Sequence, residues 1–205
     1  MAGDTPRPPA NGRGSSGGDS GEALPLRGGT ALVIGFGNPL RGDDGAGFAA
    51  AELLARQLRA DPPRTGEVSP GMSPADRRPA PRVEALACQQ LTFDLAEAVS
   101  RVDLVVFIDA DRSVPAGEFS EHEAGEDPIP PPVSHHLTPP ALLAVTRAIY
   151  GSAPRGIVLS VGAAAIDAPG LSAAVEAALP RVAEVARAIA EARGRRDPGE
   201  IEGPK

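Results

Sequence analysis

Cysteine is almost absent from the chain: Cys88 is the single one in 205 residues. That excludes an intramolecular disulfide framework and a Cys-rich zinc site, and with them any sign of an oxidising compartment. Trp is missing and aromatic residues amount to 3%, while 20 Lys and Arg face 27 Asp and Glu for a net charge of −7. This balance argues against a nucleic-acid binder working by phosphate neutralisation, and suits a basic partner surface better. No apolar run approaches the roughly 18 residues that span a bilayer, and the N-terminal stretch lacks the apolar segment of a secretory signal. The expectation is a soluble, cytoplasmic protein with neither a membrane nor a nucleic-acid partner.

Backbone punctuation, by contrast, is plentiful, with 24 Gly and 23 Pro. Much of it is concentrated in two places. Residues 1–30 hold 8 Gly and 4 Pro with no apolar period, which predicts a disordered tail. The stretch 61–82 carries 6 Pro and 2 Gly between two apolar segments, which predicts a loop or insertion. A further Pro-rich, acidic loop is expected over 112–133 and a flexible tail over 194–205. What remains, 31–193, fits one domain with its own core.

Within it, apolar and amphipathic segments alternate. Ala31–Phe36 reads as a strand, Gly45–Arg59 as a helix, Arg82–Ala87 as a strand, Leu91–Ser100 as a helix, and Leu104–Asp109 as a strand rich in β-branched residues. Thr138 is a natural N-cap with Pro139 at the first helical position, opening a helix to Tyr150. Gly156–Ala163 reads as a buried strand. Ser172 caps a long Ala-rich helix with the stripe Val175, Leu179, Val182, Val185 and Ile189, kinked at Pro180. This order predicts an α/β three-layer sandwich: a mainly parallel sheet of about five strands with helices on both faces. In such sheets ligands bind beyond the carboxyl ends of the strands, so the chemistry is sought after Phe36, Ala87, Asp109 and Gly162.

The first of these segments runs from Gly35 to Gly47, GFGNPLRGDDGAG. It fits a phosphate loop poorly: GK(S/T) and GxGxxG are absent, and Asp43 and Asp44 would repel a phosphate at the helix start. The bland alternative is that both acids cap the helix and complement its dipole. Asn38 would then be a turn residue tolerating positive φ. Asp109 is delivered by an apolar strand to the sheet edge, where it either bonds neighbouring amides or acts on a ligand. Asp111 ranks behind it, nearer the loop. The pair His135 and His136 directly precedes a helix start and is either solvated or functional. Two carboxylates and an imidazole from separate strand ends would make a mixed oxygen and nitrogen site for a borderline divalent metal such as nickel or zinc.

The block GFGNPLRGDDGAG resembles the GxGNxLxxD(D/E)GxG signature of the nickel-iron hydrogenase maturation peptidases. LVVFIDA is similar to that family's apolar strand ending in an Asp, VSHHLTPPALL to its SxHxL segment, and VGAAAIDAPGLSAAVEAALP to its C-terminal stretch, all in the family's order. The resemblance covers about Ala31 to Ala192. It implies an endopeptidase, aspartic-type by family classification, that removes a C-terminal extension from a nickel-loaded hydrogenase large-subunit precursor. By the same resemblance Asp44, Asp109 and His135 contact the metal, with His135 preferred to His136 because Leu137 follows it by two. The resemblance also implies that Asp44 and Asp109 carry the catalysis. The resemblance further implies that the nickel is the substrate's own, not a permanently held cofactor. The bond is attacked either through metal polarisation with a carboxylate as base, or by a carboxylate-activated water with nickel as a docking point.

Where many members carry a GGT-type turn, this chain has Ala87 to Thr92, ACQQLT. Gln89 and Gln90, with Asn38, are expected to bind the substrate tail, and Cys88 to be a small buried thiol. The acids Glu118, Glu121, Glu123, Glu126 and Asp127 are either solvated or greet a basic extension. Two rival functions remain: a nickel-dependent assembly checkpoint that never cleaves, and a small-ligand or nucleotide module using the Gly-rich turn.

Overall fold

The computed structural model describes residues 29–61, 81–125, 137–166 and 168–194. The tail 1–28, residues 62–80 of the expected insertion, 126–136 and 195–205 lie outside the described residues, and with them His135, His136, Glu126 and Asp127.

Among the described residues, five strands form one sheet in the order β2-β1-β3-β5-β4. They are β1 (Thr30–Phe36), β2 (Arg82–Cys88), β3 (Leu104–Asp111), β4 (Phe119–Glu123) and β5 (Arg155–Gly162). The first four strands in that order run parallel, and β4 closes the edge antiparallel to β5. The described helices that pack on them are α1 (Ala46–Ala60), α2 (Leu95–Ser100), α3 (Pro139–Tyr150) and α4 (Ala173–Arg193). Side chains alternate across a strand, so each central strand feeds two cores. Val33, Val106, Ile108, Leu159 and Val161 pack with α1 and α4 on one face. Ile34, Val105, Phe107 and Val158 pack with α2 and α3 on the other. The expected three-layer α/β sandwich is the observed one.

Both predicted caps form: Thr138 Oγ1 accepts from Ala141 N at 3.2 Å and Ser172 Oγ from Val175 N at 3.4 Å. Pro180 sits inside α4, which continues through it. In the stripe, Val175, Val182 and Ile189 are buried and Leu179 and Val185 half-buried, and Ala183, Ala186 and Ala190 widen the buried face. Their small side chains bring α4 close to α1.

Three expectations are corrected. The stretch 112–133 is not all loop, because Phe119–Glu123 is β4. As an exposed edge strand it reads FSEHE, without the apolar alternation that marks a half-buried one. Two of its acids form surface ion pairs within the chain, Glu121 with Arg193 and Glu123 with Arg155. The second helix begins at Leu95, because Thr92 and Phe93 carbonyls accept from Leu95 and Ala96 in a preceding turn. Finally, β3 runs two residues past Asp109, held by pairing with Val161 and Gly162 of β5.

Where β1 meets α1 the contact is main chain on main chain. A Cβ on Gly35 would lie 1.9 Å from the Gly47 carbonyl oxygen, and one on Gly47 would lie 2.2 Å from that of Ile108 and 2.5 Å from that of Phe36.

Candidate active site

After β1 the chain turns to α1 on one face, and after β2 it turns to α2 on the other. The crevice opened between them is where ligands enter a sheet of this kind. A cleft of about 290 Å³ occupies it. Phe36, Gly37, Asn38, Arg41 and Asp44 come from the β1 side, Gln89, Gln90 and Leu91 from the β2 side, Asp109 from β3, and Leu137 from the start of α3. Thus Asp44, Asp109, Asn38, Gln89 and Gln90 meet at one place, whereas His135 lies outside the described residues.

Asp44 belongs to a single 3-10 turn, Gly42–Gly45, that leads into α1. Its Oδ2 accepts the Asn38 N–H at 2.9 Å, and Asn38 Oδ1 accepts the Leu40 N–H at 2.9 Å. The loop therefore folds back on its own carboxylate. Gly37 makes this possible, with φ at 132° and room for no side chain: a Cβ would lie 1.8 Å from the Asp44 carbonyl oxygen. The idea that Asn38 takes the positive φ is corrected, since no non-glycine residue among those described does so. Its contribution is the side-chain oxygen that pins Leu40.

Neither acid caps α1. Asp43 turns away, fully buried, and accepts N–H bonds from Ala164 and Ala165, each at 2.9 Å, and from Ser172 at 2.6 Å. Burial pushes its pKa up, yet these donors, Ser172 foremost, outweigh that and hold it below the ordinary carboxylate range. The loop after Gly162, expected to contribute to the site, instead serves Asp43.

Asp109 continues the face of Val105 and Phe107 into the cleft. Burial pushes its pKa from an ordinary 3.8 up to about 6, against the Ala110 N–H that bonds Oδ1 at 2.8 Å, with the charges of Asp44 and Asp111 adding to the rise. The two cleft carboxylates thus feel each other. Asp111 is spoken for: its Oδ1 accepts both the hydroxyl and the N–H of Ser113 at 2.7 Å, and these bonds, with a smaller contribution from His122, lower its pKa. Cys88, half-buried at the end of β2, has its thiol pushed up by burial.

Chemically, the arrangement offers two carboxylates, one with its pKa raised to about 6, in a cleft also lined by the amide side chains of Asn38, Gln89 and Gln90 and by apolar Phe36, Leu91 and Leu137. Among the described residues no three His, Cys, Asp or Glu side chains are grouped to hold a metal. Oxygen donors from Asp44 and Asp109 suit a divalent cation that brings, or finds, further ligands. No described helix is long and apolar enough to cross a membrane.

Fold and cleft together define an α/β protein with an acidic pair at the strand ends of a parallel sheet. The fold is that of the nickel-iron hydrogenase maturation proteases. The HycI maturation protease from Thermococcus kodakarensis KOD1 superposes with a TM-score of 0.55 at 21% identity, over 77% of this chain and 90% of that one. The hydrogenase maturating endopeptidase HybD from E. coli gives 0.55 at 20%, over 78% and 91%. HybD from Thermococcus kodakarensis gives 0.53 at 22%, over 78% and 99%. Identity at this level establishes the shared fold. No protein-family model matches the chain, and no curated protein does so by sequence.

Proposed function

We propose that this chain is a cytoplasmic endopeptidase that removes a C-terminal extension from the nickel-loaded large-subunit precursor of a nickel-iron hydrogenase. The observation that carries the reading is the meeting of Asp44 and Asp109 in one cleft at the strand ends, on a fold shared with hydrogenase maturation proteases. The GNPLRGDDGAG block supplies Asn38 and Asp44, so the sequence resemblance falls on residues of the cleft.

In this reading the nickel arrives with the substrate. Asp44 and Asp109 present oxygen ligands to it, and His135, two residues before the cleft residue Leu137, supplies a nitrogen ligand. Gln89 and Gln90 offer amide donors and acceptors to an extended peptide backbone, and Asn38 holds Asp44 in place. Hydrolysis adds water across the peptide bond. The water loses a proton to a carboxylate, its oxygen bonds to the carbonyl carbon, and the departing nitrogen takes up a proton. Asp109, half-buried and poised near pH 6, is suited to that exchange.

Intact-mass spectrometry of a hydrogenase large-subunit precursor, incubated with this protein with and without nickel, tests the reading. Loss of a defined C-terminal peptide from the loaded form alone, abolished by Asp44→Asn or Asp109→Asn, is expected. A loaded precursor that binds and stays uncleaved would replace the endopeptidase with an assembly checkpoint.

A further inference from the structure

The cleft chemistry uses Asp44 and Asp109 and leaves Asp43 without a task, although it is the charged side chain that the described fold buries completely. Its partners all come from the loop between β5 and α4, more than 120 positions away in the chain. Oδ2 takes the N–H groups of Ala164 and Ala165, Oδ1 takes that of Ser172, and the Asp43 N–H donates to the Ala165 carbonyl at 2.9 Å. The residue before it is pressed by the same loop: a Cβ on Gly42 would lie 2.1 Å from the Ala165 oxygen. Charge-assisted bonds of this kind are short and directional. The next residue is Asp44, whose carboxylate is tied on its other side to the Asn38 N–H.

We infer that Asp43 is a positioning residue, clamping the β5–α4 loop to the Gly42–Gly45 turn and so setting where the Asp44 carboxylate stands in the cleft. Its catalytic consequence rests on the endopeptidase reading; its geometric consequence does not. Both carboxylate oxygens are used as acceptors, so Asn is no substitute: its NH₂ would face an N–H. A group that merely stabilises the fold would behave differently, because any equally destabilising change elsewhere would then have the same effect on the cleft.

The experiment compares four variants of the full chain. Asp43→Asn breaks the clamp at the carboxylate. Ser172→Pro deletes the N–H facing Oδ1, at a residue whose φ of −65° suits proline, while Ser172→Ala keeps that N–H and loses the hydroxyl. Val182→Ala opens a cavity under α4, remote from the loop, and serves as the stability-matched control. Two-dimensional amide NMR follows the Asn38 N–H, which reports on the Asp44 carboxylate. It should move upfield and exchange faster in Asp43→Asn and Ser172→Pro, move less in Ser172→Ala, and stay in place in Val182→Ala.

With nickel-loaded precursor as substrate, kcat should fall about 100-fold in the first two with KM little changed, as expected when a reacting group is displaced by about 1 Å. Val182→Ala should retain wild-type kcat. The inference is overturned if folded Asp43→Asn leaves the Asn38 amide in place, or if Val182→Ala shifts it equally. Should Asp43→Asn fail to fold, Ser172→Pro decides by the same readouts. If the wild type cleaves nothing, the endopeptidase reading fails, while the Asn38 amide still decides the clamp.

Discussion

Replacing Asp109 by Asn removes a charge that the folded chain holds at a cost. Burial, with smaller contributions from Asp44 and Asp111, lifts its pKa from 3.8 to about 6 despite the Ala110 N–H. Between these values the folded chain keeps a proton that the unfolded chain has released. Stability therefore falls as pH rises through that interval, and the contribution present below pH 4 is gone above pH 6. A shift of roughly two units corresponds to about 3 kcal/mol. Partial solvent access to the carboxylate discounts this to about 2 kcal/mol.

Asn keeps the oxygen that accepts from Ala110 and never ionises. Urea unfolding of metal-free wild type and Asp109→Asn, at half-unit steps from about pH 4 to pH 7, measures the difference directly. The two should be nearly equal at the acid end, with the variant more stable by about 2 kcal/mol at the neutral end. Titrating groups away from the cleft are common to both and cancel, leaving Asp109 and its smaller coupling to Asp44 and Asp111. A difference that stays flat across the series would refute the reasoning, because it would mean that Asp109 titrates alike in both states. The same variant should lose cleavage, so gained stability and lost activity would come from one atom exchange.

Other consequences are open to measurement. Asp44→Asn removes a neighbouring charge, so the pH step assigned to Asp109 should move toward acid in the same urea series. Gly37→Ala forces a side chain into the Asp44 carbonyl at positive φ; it should cost at least about 1–3 kcal/mol in thermal unfolding and abolish cleavage. Thr138→Ala deletes the α3 cap and should cost about 1 kcal/mol by denaturant titration. Cys88 should alkylate with iodoacetamide more slowly in the folded chain than in urea at the same pH, and equal rates would contradict its buried, raised thiol.

Much of the fold was legible because the central strands are buried on both faces and read as unbroken runs, ALVIGF, LVVFID and GIVLSVG. An apolar strand ending in Asp109 announces a carboxylate at the sheet edge, and the Gly-rich turn after Phe36 announces the other side of the cleft. What stayed hidden depends on partners far away in sequence. FSEHE becomes a strand only because β5 offers it an edge, and its own side chains mostly face solvent. Asp43 looked like a helix cap because local sequence shows the nearest N–H groups, whereas its real donors lie in the β5–α4 loop. Asn38 was read for its backbone when its side chain does the work at Leu40.

The glycine contacts beneath the cleft have a consequence for how this architecture tolerates change. Gly35 against Gly47, and Gly47 against the carbonyls of Phe36 and Ile108, join β1, α1 and β3 without a side chain between them. Asp44 stands three residues before Gly47, and Asp109 follows Ile108 directly. The spacing of the acidic pair is thus gauged by backbone atoms, which every sequence shares, and not by the bulk of the side chains around it. Replacing Val by Ile in either core would thicken a layer, and replacing Leu by Met would reshape one, yet both would leave this ruler unmarked. Adding one methyl group at Gly47 would lengthen it.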